Sequence, residues 1–455
     1  MSGNVVIVGG GISGLAAAYY LGRNDFPYTL IEKSGRLGGL VQTDLIDGCR
    51  LEAGPDSFIA AKPEVTQLAE EIGSLSEDII ESNDRARRVF VMRDGRLIAM
   101  PSGMSMMVPT RWGPVLRSDL LSSGAKIRLL LETFSRPRHR KADFTVAEFI
   151  LDHFGREVLD YITDPLLSGV YGGSAGELSA PSVLPRFVNY EQRYGSLIRG
   201  ARAGAHATRM SGGLFRSFRL GMQQLTDALA AGIPAHSRLM NAEVTRIAKA
   251  QPGWRVDTAG KSLPASHVVL ACPAHASAML LKPELPDLAG ALQAIPYSSA
   301  ILVTLVFKRE SVSHPLNGFG YLVPAKERRA VAAATWINTK FPSRIPRDSA
   351  AIRAFIVGAQ AEQLMGQCDE SLSNLAQAEL RPLLGISGAC CFSTVHKWPA
   401  SMPQYVLGHA QTMQSIRSHL AQTDGLHLIG NAYDGVGIPD CIRVARETIA
   451  LITTT

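Results

Sequence analysis

The stretch Val5-Val6-Ile7-Val8-Gly9-Gly10-Gly11-Ile12-Ser13-Gly14-Leu15 lies near the start of the chain and decides its fold. Its short β-branched run ends in glycines and continues into the small-residue pattern Ala16-Ala17-Ala18-Tyr19-Tyr20-Leu21, which favours a helix. A second apolar run, Tyr28-Thr29-Leu30-Ile31, closes with the acid Glu32. Strand, glycine turn, helix, strand and acid, in this order, predict a βαβ dinucleotide-binding unit.

Each residue type in this unit has a physical reason. Gly9 permits a tight turn out of the strand, and Gly11, which has no Cβ, lets a pyrophosphate approach the N–H groups at the helix start. Gly14 lets the helix pack close to the sheet. Glu32 follows Gly14 by 18 residues, where a carboxylate can accept both ribose hydroxyls, so the 2′-phosphate of NADP is disfavoured. The glycine motif alone leaves FAD and NAD open.

A second glycine pair lies just beyond the acid, in Arg36-Leu37-Gly38-Gly39. An arginine followed by two glycines at this place resembles the extension found in flavoproteins of the amine oxidase superfamily. This resemblance favours FAD as the cofactor.

Length and composition describe a globular protein. The chain has 455 residues, 46% of them apolar and 19% charged, so we expect two or three domains. Its first strand begins at Val5, and no apolar run reaches the ~18 residues of a membrane-spanning helix, so we expect a cytoplasmic protein without a signal peptide. The six cysteines form no C-x-x-C pair, which predicts reduced thiols and neither a disulfide framework nor a zinc site.

The positive charge is concentrated in residues 85–141. This segment has thirteen Lys/Arg and three Asp/Glu, a net +10, so the rest of the chain carries −4 of the total +6. Its loop 100–109 is rich in Met, and Trp112 follows closely. Two interpretations stay open: a helical subdomain with its own core and a wet basic face, or apolar side chains that enter a bilayer while cations meet anionic headgroups. Nucleic acid is disfavoured because aromatic residues are not interleaved with the charges. The cations concerned are Arg111, Arg117, Lys126, Arg128, Arg136, Arg138, Arg140 and Lys141.

The order of the remaining patterns predicts an α/β (α+β) fold. Alternating apolar runs from Ser299 predict a mixed or antiparallel sheet, suited to the floor of a substrate cavity. The closing Gly435-Val436-Gly437-Ile438-Pro439 precedes a helix predicted from Ile442 and repeats the glycine turn of the opening. We therefore predict a Rossmann-like FAD-binding domain, a mixed-sheet substrate domain and an inserted mostly helical domain. The FAD-binding domain is predicted to comprise residues 1–57, 205–280 and 386–455. The substrate domain comprises 58–84, 185–204 and 281–385, and the helical domain comprises 85–184.

Three stretches resemble one family across essentially the whole chain. They are Asp164-Pro165-Leu166-Leu167-Ser168-Gly169-Val170-Tyr171, Pro185-Arg186-Phe187 through Leu197, and Tyr433-Asp434-Gly435-Val436-Gly437-Ile438-Pro439-Asp440-Cys441. The combination is similar to the porphyrinogen oxidases, which comprise oxygen-dependent protoporphyrinogen oxidase and coproporphyrinogen III oxidase, within the flavin amine oxidase superfamily.

The resemblance implies a site. Arg88 would hold a substrate propionate, as a guanidinium suits a carboxylate. Leu322 and Ile356 would clamp the macrocycle, with Gly169 on the opposite wall. The alternatives are that Arg88 is a surface charge and that Leu322 and Ile356 are plain core. The implied FAD contacts are Gly9, Gly10, Gly11, Ile12, Ser13, Gly14, Glu32, Lys33, Arg36, Gly39, Gly54, Pro55, Asp56, Ser57, Val244, Trp398, Val436, Gly437 and Ile438.

The chemistry implied by the resemblance depends on the flavin. Hydride leaves a meso carbon of the porphyrinogen for flavin N5, oxygen reoxidises the flavin, and three rounds remove six electrons. No catalytic triad, carboxylate pair or metal cluster is apparent in the sequence, and the segment Trp398–Tyr405 has no cysteine, so we expect non-covalent FAD. The expected partners are the tetrapyrrole, oxygen, a membrane surface at 85–141, a chelatase that receives the product, and a second copy in a homodimer. The other functions considered are an amine oxidase or desaturase, and a GDP-dissociation-inhibitor-like binding protein without flavin chemistry.

Overall fold

The computed structural model describes residues 4–205 and 213–454. The chain forms two compact units, each assembled from separate segments. The first contains Met1–Ser82, Leu214–Pro296 and Ala410–Thr455, and the second contains Asn83–Gly213 and Tyr297–His409. Residues 206–212 of the predicted FAD-binding segment 205–280 lie outside the described residues. The three-domain division stays a prediction.

The predicted βαβ unit is present in the first unit. The strand Val5–Val8 is followed by the helix Ile12–Arg23 and pairs in parallel with the strand Tyr28–Ile31. Residues Ala16, Ala17 and Ala18 are completely buried. Their small side chains let the helix lie close to the sheet.

Five parallel strands form the central sheet of the first unit. In spatial order they are Arg238–Leu239, Tyr28–Ile31, Val5–Val8, His267–Leu270 and Leu426–Leu428. Three smaller sheets surround it: Phe58–Ile59, Phe215–Phe218 and Ile79–Glu81; Val244–Lys249, Trp254–Thr258 and Ser262–Ala265; and Thr43–Ile46 with Cys49–Glu52. The further helices are Glu64–Ile72, Gln223–Ala231, Ala274–Leu281, Pro286–Gln293, His409–Leu420 and Ile438–Thr454.

The last helix begins earlier than predicted. We expected it from Ile442, but it starts at Ile438 because Pro439 is tolerated in a first turn, where its missing N–H has no helical partner to lose. Its apolar stripe, which includes Ile442 and Ile449, joins the core cluster that contains Leu15 of the opening helix.

A seven-stranded sheet forms one part of the second unit. Its spatial order is Cys390–Pro403, Tyr297–Lys308, Ser349–Val357, Ala333–Trp336, Gly320–Leu322, Val89–Arg93 and Arg96–Ala99. The sheet is mixed, as predicted. Gly320–Leu322 runs parallel to Val89–Arg93, while all the other neighbouring strands of this sheet are antiparallel. The last two strands are joined by a hairpin turn at Asp94 and Gly95, with φ of 54° and 71°. The segment 85–184, predicted as mostly helical, thus also supplies two strands to this sheet.

A two-stranded antiparallel sheet, Met104–Ser105 with Val108–Pro109, and a set of helices form the rest of the second unit. One cluster of buried side chains includes Met107, Val108 and Val115, and Trp112 packs against it. For these residues the structure supports the interpretation that the Met-rich segment contributes to a core. The helices are Trp112–Arg117, Ser123–Glu132, Val146–His153, Arg156–Val158, Asp164–Tyr171, Ala180–Val183, Pro185–Tyr194, Leu197–Ala205, Ile337–Lys340, Ala359–Leu364 and Asp369–Leu384, with a π-helical turn at Leu159–Thr163.

Within residues 4–205 and 213–454, no helix has both the length and the apolar composition needed to cross a bilayer.

Candidate functional site

The opening glycines form a turn that only glycine can make without strain. Gly9 has φ of +108°, and a Cβ on Gly14 would lie 1.9 Å from the carbonyl oxygen of Gly9. A Cβ on Gly11, in contrast, would meet nothing within 4 Å. Gly11 is also the N-cap of the helix Ile12–Arg23, which has no side-chain cap and no acid in its first turn. The structure therefore presents uncapped N–H groups beside open space, which fits a pyrophosphate.

Glu32 lies directly beside this turn. Its Oε2 accepts a hydrogen bond from the Gly10 N–H at 2.7 Å, and its Oε1 accepts from both the N–H and the hydroxyl of Ser34 at 2.8 Å. These bonds fix the carboxylate at the end of the second strand. An ionised carboxylate has about four acceptor positions, so it can also accept a ribose hydroxyl. Lys33, the next residue, is exposed.

Arg36 braces the second glycine pair. Its Nη1 donates to the carbonyls of Leu37 and Val41, both at 3.0 Å, and its Nη2 donates to the carbonyl of Gly39. The N–H of Gly38 donates to the Gly10 carbonyl at 2.8 Å. The Arg36 side chain thus holds its own loop against the opening glycine turn, a structural role that the sequence-based assignment as a cofactor contact did not anticipate.

The Gly54–Ser57 turn and Val244 also belong to the first unit. A Cβ on Gly54 would lie 1.9 Å from the Leu40 carbonyl oxygen, so the turn packs closely on the loop that follows the glycine pair. The Ser57 hydroxyl donates to the Asp56 carboxylate at 2.6 Å, and Val244 begins the strand Val244–Lys249 and is buried.

An ion pair holds the start of the last helix. Lys62 Nζ lies 2.6 Å from both carboxylate oxygens of Asp440, which sits in the first turn of Ile438–Thr454. Gly435, with φ of +120°, makes the turn that precedes Val436, Gly437 and Ile438. The sequence did not predict the Lys62–Asp440 pair, because 378 positions separate the two residues.

Two cysteine thiols in the first unit, the buried Cys441 and the partly exposed Cys272, have raised pKa values. Burial raises the pKa of Cys441 to about 11, despite a hydrogen bond with Ser13 of the glycine turn. Burial likewise raises the pKa of Cys272, which follows the strand His267–Leu270. Since the thiolate is the reactive form, neither cysteine is activated as a nucleophile. Within the described residues, no group of three His, Cys, Asp or Glu side chains could hold a metal ion.

Trp398 belongs to the second unit, whereas the other predicted cofactor contacts all belong to the first. It is on the strand Cys390–Pro403, opposite Ala300, and its ring stacks on His396 with centroids 6.4 Å apart.

The structure does not bring Leu322 and Ile356 together. Leu322 pairs with Ala333, and Ala333 pairs with Phe355, so the face that carries Leu322 also carries Phe355. Ile356, one residue later, points to the other face, because side chains alternate along a strand. There it is fully buried in the cluster that includes Leu372, Ala376 and Leu380 of the helix Asp369–Leu384. Ile356 is therefore a core residue, and Phe355 is the residue of this strand that shares a face with Leu322.

Gly169 and Arg88 belong to the same unit as Leu322. Gly169 is in the helix Asp164–Tyr171, and a Cβ there would meet nothing within 4 Å. Leu167 of this helix belongs to the same buried cluster as Val91. Val91 in turn pairs with Leu322 across the two neighbouring parallel strands. Arg88 is exposed just before Val89–Arg93, and its carbonyl accepts from the Phe319 N–H at 2.7 Å.

A charged cluster lies buried among the helices of the second unit. The ring nitrogens of His153 are 2.8 Å from Glu132 Oε1 and 2.9 Å from Glu191 Oε1, and Glu191 also pairs with Arg140. Burial alone would lower the pKa of His153, but its hydrogen bonds to the two glutamates outweigh burial and raise it. Burial would raise the pKa of Glu191, but its bonds with His153 and Arg140 lower it to about 2. The His153 imidazolium and the Arg140 guanidinium together therefore balance the charges of the two glutamates inside the helical core.

Comparison with known proteins places the chain in a family. The sequence profile of flavin-containing amine oxidoreductases matches residues 12–452. The chain is 31% identical to coproporphyrinogen III oxidase of Bacillus subtilis, over 98% of this chain and 97% of that protein. It is also 31% identical to protoporphyrinogen oxidase of Bos taurus, over 99% and 98% of the two chains.

The fold has solved counterparts. A crystal structure from Exiguobacterium sp. 255-15, of a protein that carries the provisional name protoporphyrinogen oxidase, superposes with a TM-score of 0.89 at 31% identity and covers 100% of this chain and 99% of that one. A putrescine oxidase structure superposes with a TM-score of 0.70 at 18% identity, over 100% and 99% of the two chains, a likeness of fold alone. This chain therefore belongs to the family of flavin-containing amine oxidoreductases.

Proposed function

We propose that the chain is an FAD-dependent oxidase that converts protoporphyrinogen IX to protoporphyrin IX with molecular oxygen as the acceptor. The observation that carries the proposal is that relatives named coproporphyrinogen III oxidase and protoporphyrinogen oxidase match 98% and 99% of the chain, and so span both units. Coproporphyrinogen III is the second candidate substrate, favoured by three bacterial relatives of that name at 28–33% identity.

The first unit would hold the cofactor. The N–H groups that follow Gly11 would bind the pyrophosphate, and Glu32 would accept a ribose hydroxyl. When bound, FAD supplies a two-electron acceptor, and three rounds with oxygen remove six electrons and yield three hydrogen peroxide molecules. We propose that the binding is non-covalent, which is supported by the lack of cysteine in the segment 398–405. Acid precipitation of the yellow protein should then release all of its flavin into the supernatant, and retention in the pellet would contradict this.

The second unit would bind the substrate. Leu322 and Phe355 offer apolar surface to the macrocycle on one face of the sheet, and Arg88 offers a cation to a propionate. The chemistry asks these residues to bind and orient an electron-rich ring, since pyrrole protons can leave to solvent. Trp398 is proposed as a cofactor contact from this unit.

A fluorescence assay tests the proposed function. The purified flavin-loaded protein is mixed in air with protoporphyrinogen IX or coproporphyrinogen III, and fluorescent porphyrin is recorded with the hydrogen peroxide formed. Protoporphyrin formation is expected. Turnover of coproporphyrinogen alone would establish the second candidate. Flavin-loaded protein that oxidises neither porphyrinogen, or that oxidises amines instead, would overturn the proposal.

We also propose peripheral contact with an anionic membrane surface, on the inner face of the cell membrane. Its support is a set of exposed apolar side chains on and after the helix Ser123–Glu132: Ile127, Leu131 and Phe134 are 57%, 63% and 79% exposed. Exposed cations at Arg136 and Arg138 follow in sequence. Apolar side chains flanked by cations are the composition that an interface with anionic lipid favours.

Vesicle co-sedimentation tests the membrane contact. Wild-type protein should sediment with phosphatidylglycerol-containing vesicles, more weakly as salt rises. The double substitution Leu131→Glu and Phe134→Glu should abolish sedimentation, whereas Met279→Glu, at a residue 67% exposed in the first unit, should preserve it. Equal sedimentation of all three proteins would contradict the contact. Two further expectations come from the resemblance alone. They are the transfer of the product to a chelatase and the formation of a homodimer.

A further inference from the structure

Arg328 is a half-buried guanidinium without a carboxylate partner. In the sequence it lies in the segment that connects the strands Gly320–Leu322 and Ala333–Trp336. Its Nη2 donates to the Ser168 hydroxyl at 3.0 Å and to the Val323 carbonyl at 3.1 Å. Its Nε is buried and has no hydrogen-bond partner. Among residues 4–205 and 213–454 it makes no ion pair, although Asp164 is near enough to influence it electrostatically.

This arrangement is costly for the protein alone. A buried donor without an acceptor costs roughly 1–3 kcal/mol, and more for a charged group. Arg140, among the helices of the second unit, follows the usual rule, since it bonds to Glu191 at 2.7 Å and to Asp152 at 2.8 Å. Burial also lowers the pKa of Arg328, although Asp164 opposes this. A guanidinium held in place but left unpaired is typical of an anion-binding position.

The residues that anchor Arg328 indicate what kind of anion it would bind. Ser168, which holds the guanidinium, precedes Gly169, where a Cβ would meet open space. Val323, its other acceptor, follows Leu322. Arg328 is thus anchored to the two elements that carry the proposed macrocycle-binding positions. Arg88 is tied to Phe319, four residues before Val323, which puts the two anchoring points about 13 Å apart along the strand direction.

We propose that Arg328 binds a second carboxylate of the tetrapyrrole, at the opposite end of the strand Gly320–Leu322 from the carboxylate assigned to Arg88. This inference rests on the proposed porphyrinogen oxidase function. Nη1, which is not buried and forms no hydrogen bond within the described residues, is the donor available to the ligand, while Nη2 keeps the side chain in place. The two cations together make the enzyme selective for tetrapyrroles with carboxylates at both ends.

Kinetics with a free acid and its ester test this role. Flavin-loaded wild type, Arg328→Met and Arg328→Lys are assayed with the porphyrinogen that the wild type oxidises and with its methyl ester. Loss of a charge-assisted hydrogen bond should raise KM for the acid about 10- to 100-fold in Arg328→Met, with kcat nearly unchanged. Arg328→Lys, which keeps the charge, should give an intermediate KM. The ester should show the same KM in all three proteins. Arg329→Met, at an exposed neighbour, is the matched control and should behave like the wild type.

The outcomes separate the inference from the function on which it rests. Absence of turnover by the flavin-loaded wild type would remove the proposed function. Turnover by the wild type with an unchanged KM for the acid in Arg328→Met would overturn the role of Arg328 alone. An equal rise of KM for acid and ester would also overturn it, since that result indicates a structural effect. If Arg328→Met loses flavin or stability, Arg328→Lys decides, and an acid-to-ester KM ratio equal to that of the wild type would then refute the proposal.

Discussion

The side chains of Leu322 and Phe355 lie on the same face of the seven-stranded sheet, separated by the strand that carries Ala333 between them. Phe355 is only partly buried, so its ring is available to a ligand. We expect Phe355→Ala to raise KM for the porphyrinogen about tenfold or more, because an apolar contact with the macrocycle is lost. Steady-state kinetics measure the change, and Phe355→Leu, which keeps apolar surface, should retain most of the affinity.

Ile356 should respond differently although it is the next residue. Ile356→Ala should lower the free energy of unfolding by about 2–5 kcal/mol, because it leaves a cavity in a fully buried position. Chemical denaturation measures this loss, and KM should stay at the wild-type value. A raised KM without lost stability would place Ile356 in the binding site after all.

Two glycines of the opening turn should separate folding from cofactor binding. Gly11→Ala should fold, since the added Cβ meets nothing, but it should lose FAD, since the methyl group occupies the space proposed for the pyrophosphate. Gly14→Ala should lose stability by more than the 1–3 kcal/mol or so that is usual for overpacking, because its Cβ would lie 1.9 Å from a backbone oxygen. Flavin absorbance per protein and thermal unfolding distinguish the two. Full FAD content in Gly11→Ala would refute the assignment.

Arg88→Ala should raise KM for the porphyrinogen about tenfold and leave FAD content unchanged, because it removes one charged hydrogen bond to a propionate. Arg87→Ala is the matched control, since Arg87 is also exposed and pairs with Asp84. An unaltered KM in Arg88→Ala would leave Arg88 as a surface charge.

The buried cluster around His153 should make the free energy of unfolding fall both at alkaline and at acidic pH. The pKa of His153 is raised in the folded protein, so its contribution is complete below about 6.5 and is lost as pH rises through the folded value. The pKa of Glu191 is lowered to about 2, so its contribution is present above 4.5 and is lost as pH falls toward about 2. His153→Gln should lose about 3–5 kcal/mol of unfolding free energy at neutral pH, because Glu132 then lacks its buried cation and Glu191 keeps only Arg140. Urea unfolding at several pH values measures both effects, and a variant with the alkaline dependence of the wild type would contradict this role.

Local patterns predicted the first unit well. The run from Val5 to Gly14 specifies a parallel βαβ unit, because β-branched residues, glycines and alanines each favour one local conformation there. The hairpin at Asp94 and Gly95 was predictable for the same reason, since both residues tolerate a positive φ. Most of the proposed FAD contacts come from the family resemblance and not from a local sequence pattern, and they stay predictions.

Features that depend on register or on distant pairs could not be predicted. Ile356 and Phe355 differ by a single step along one strand, and only the pairing with Ala333 decides which side chain shares a face with Leu322. The ion pairs of Lys62 with Asp440 and of Arg140 with Glu191 join residues far apart in sequence. Arg328 carries no local signal either, because its significance is the lack of a partner, which only three-dimensional structure reveals.

The outermost strand of the parallel sheet, Leu426–Leu428, and the helix Ile438–Thr454 have a consequence for biosynthesis. Both pack against elements made much earlier in synthesis, Leu426–Leu428 beside His267–Leu270 and the helix beside Ile12–Arg23. A nascent chain can form the glycine turn early, but the ribosome must have translated through residue 454 before this unit is closed. We therefore expect stable flavin binding only after the final helix has been made, and a truncation that removes this helix should yield colourless protein.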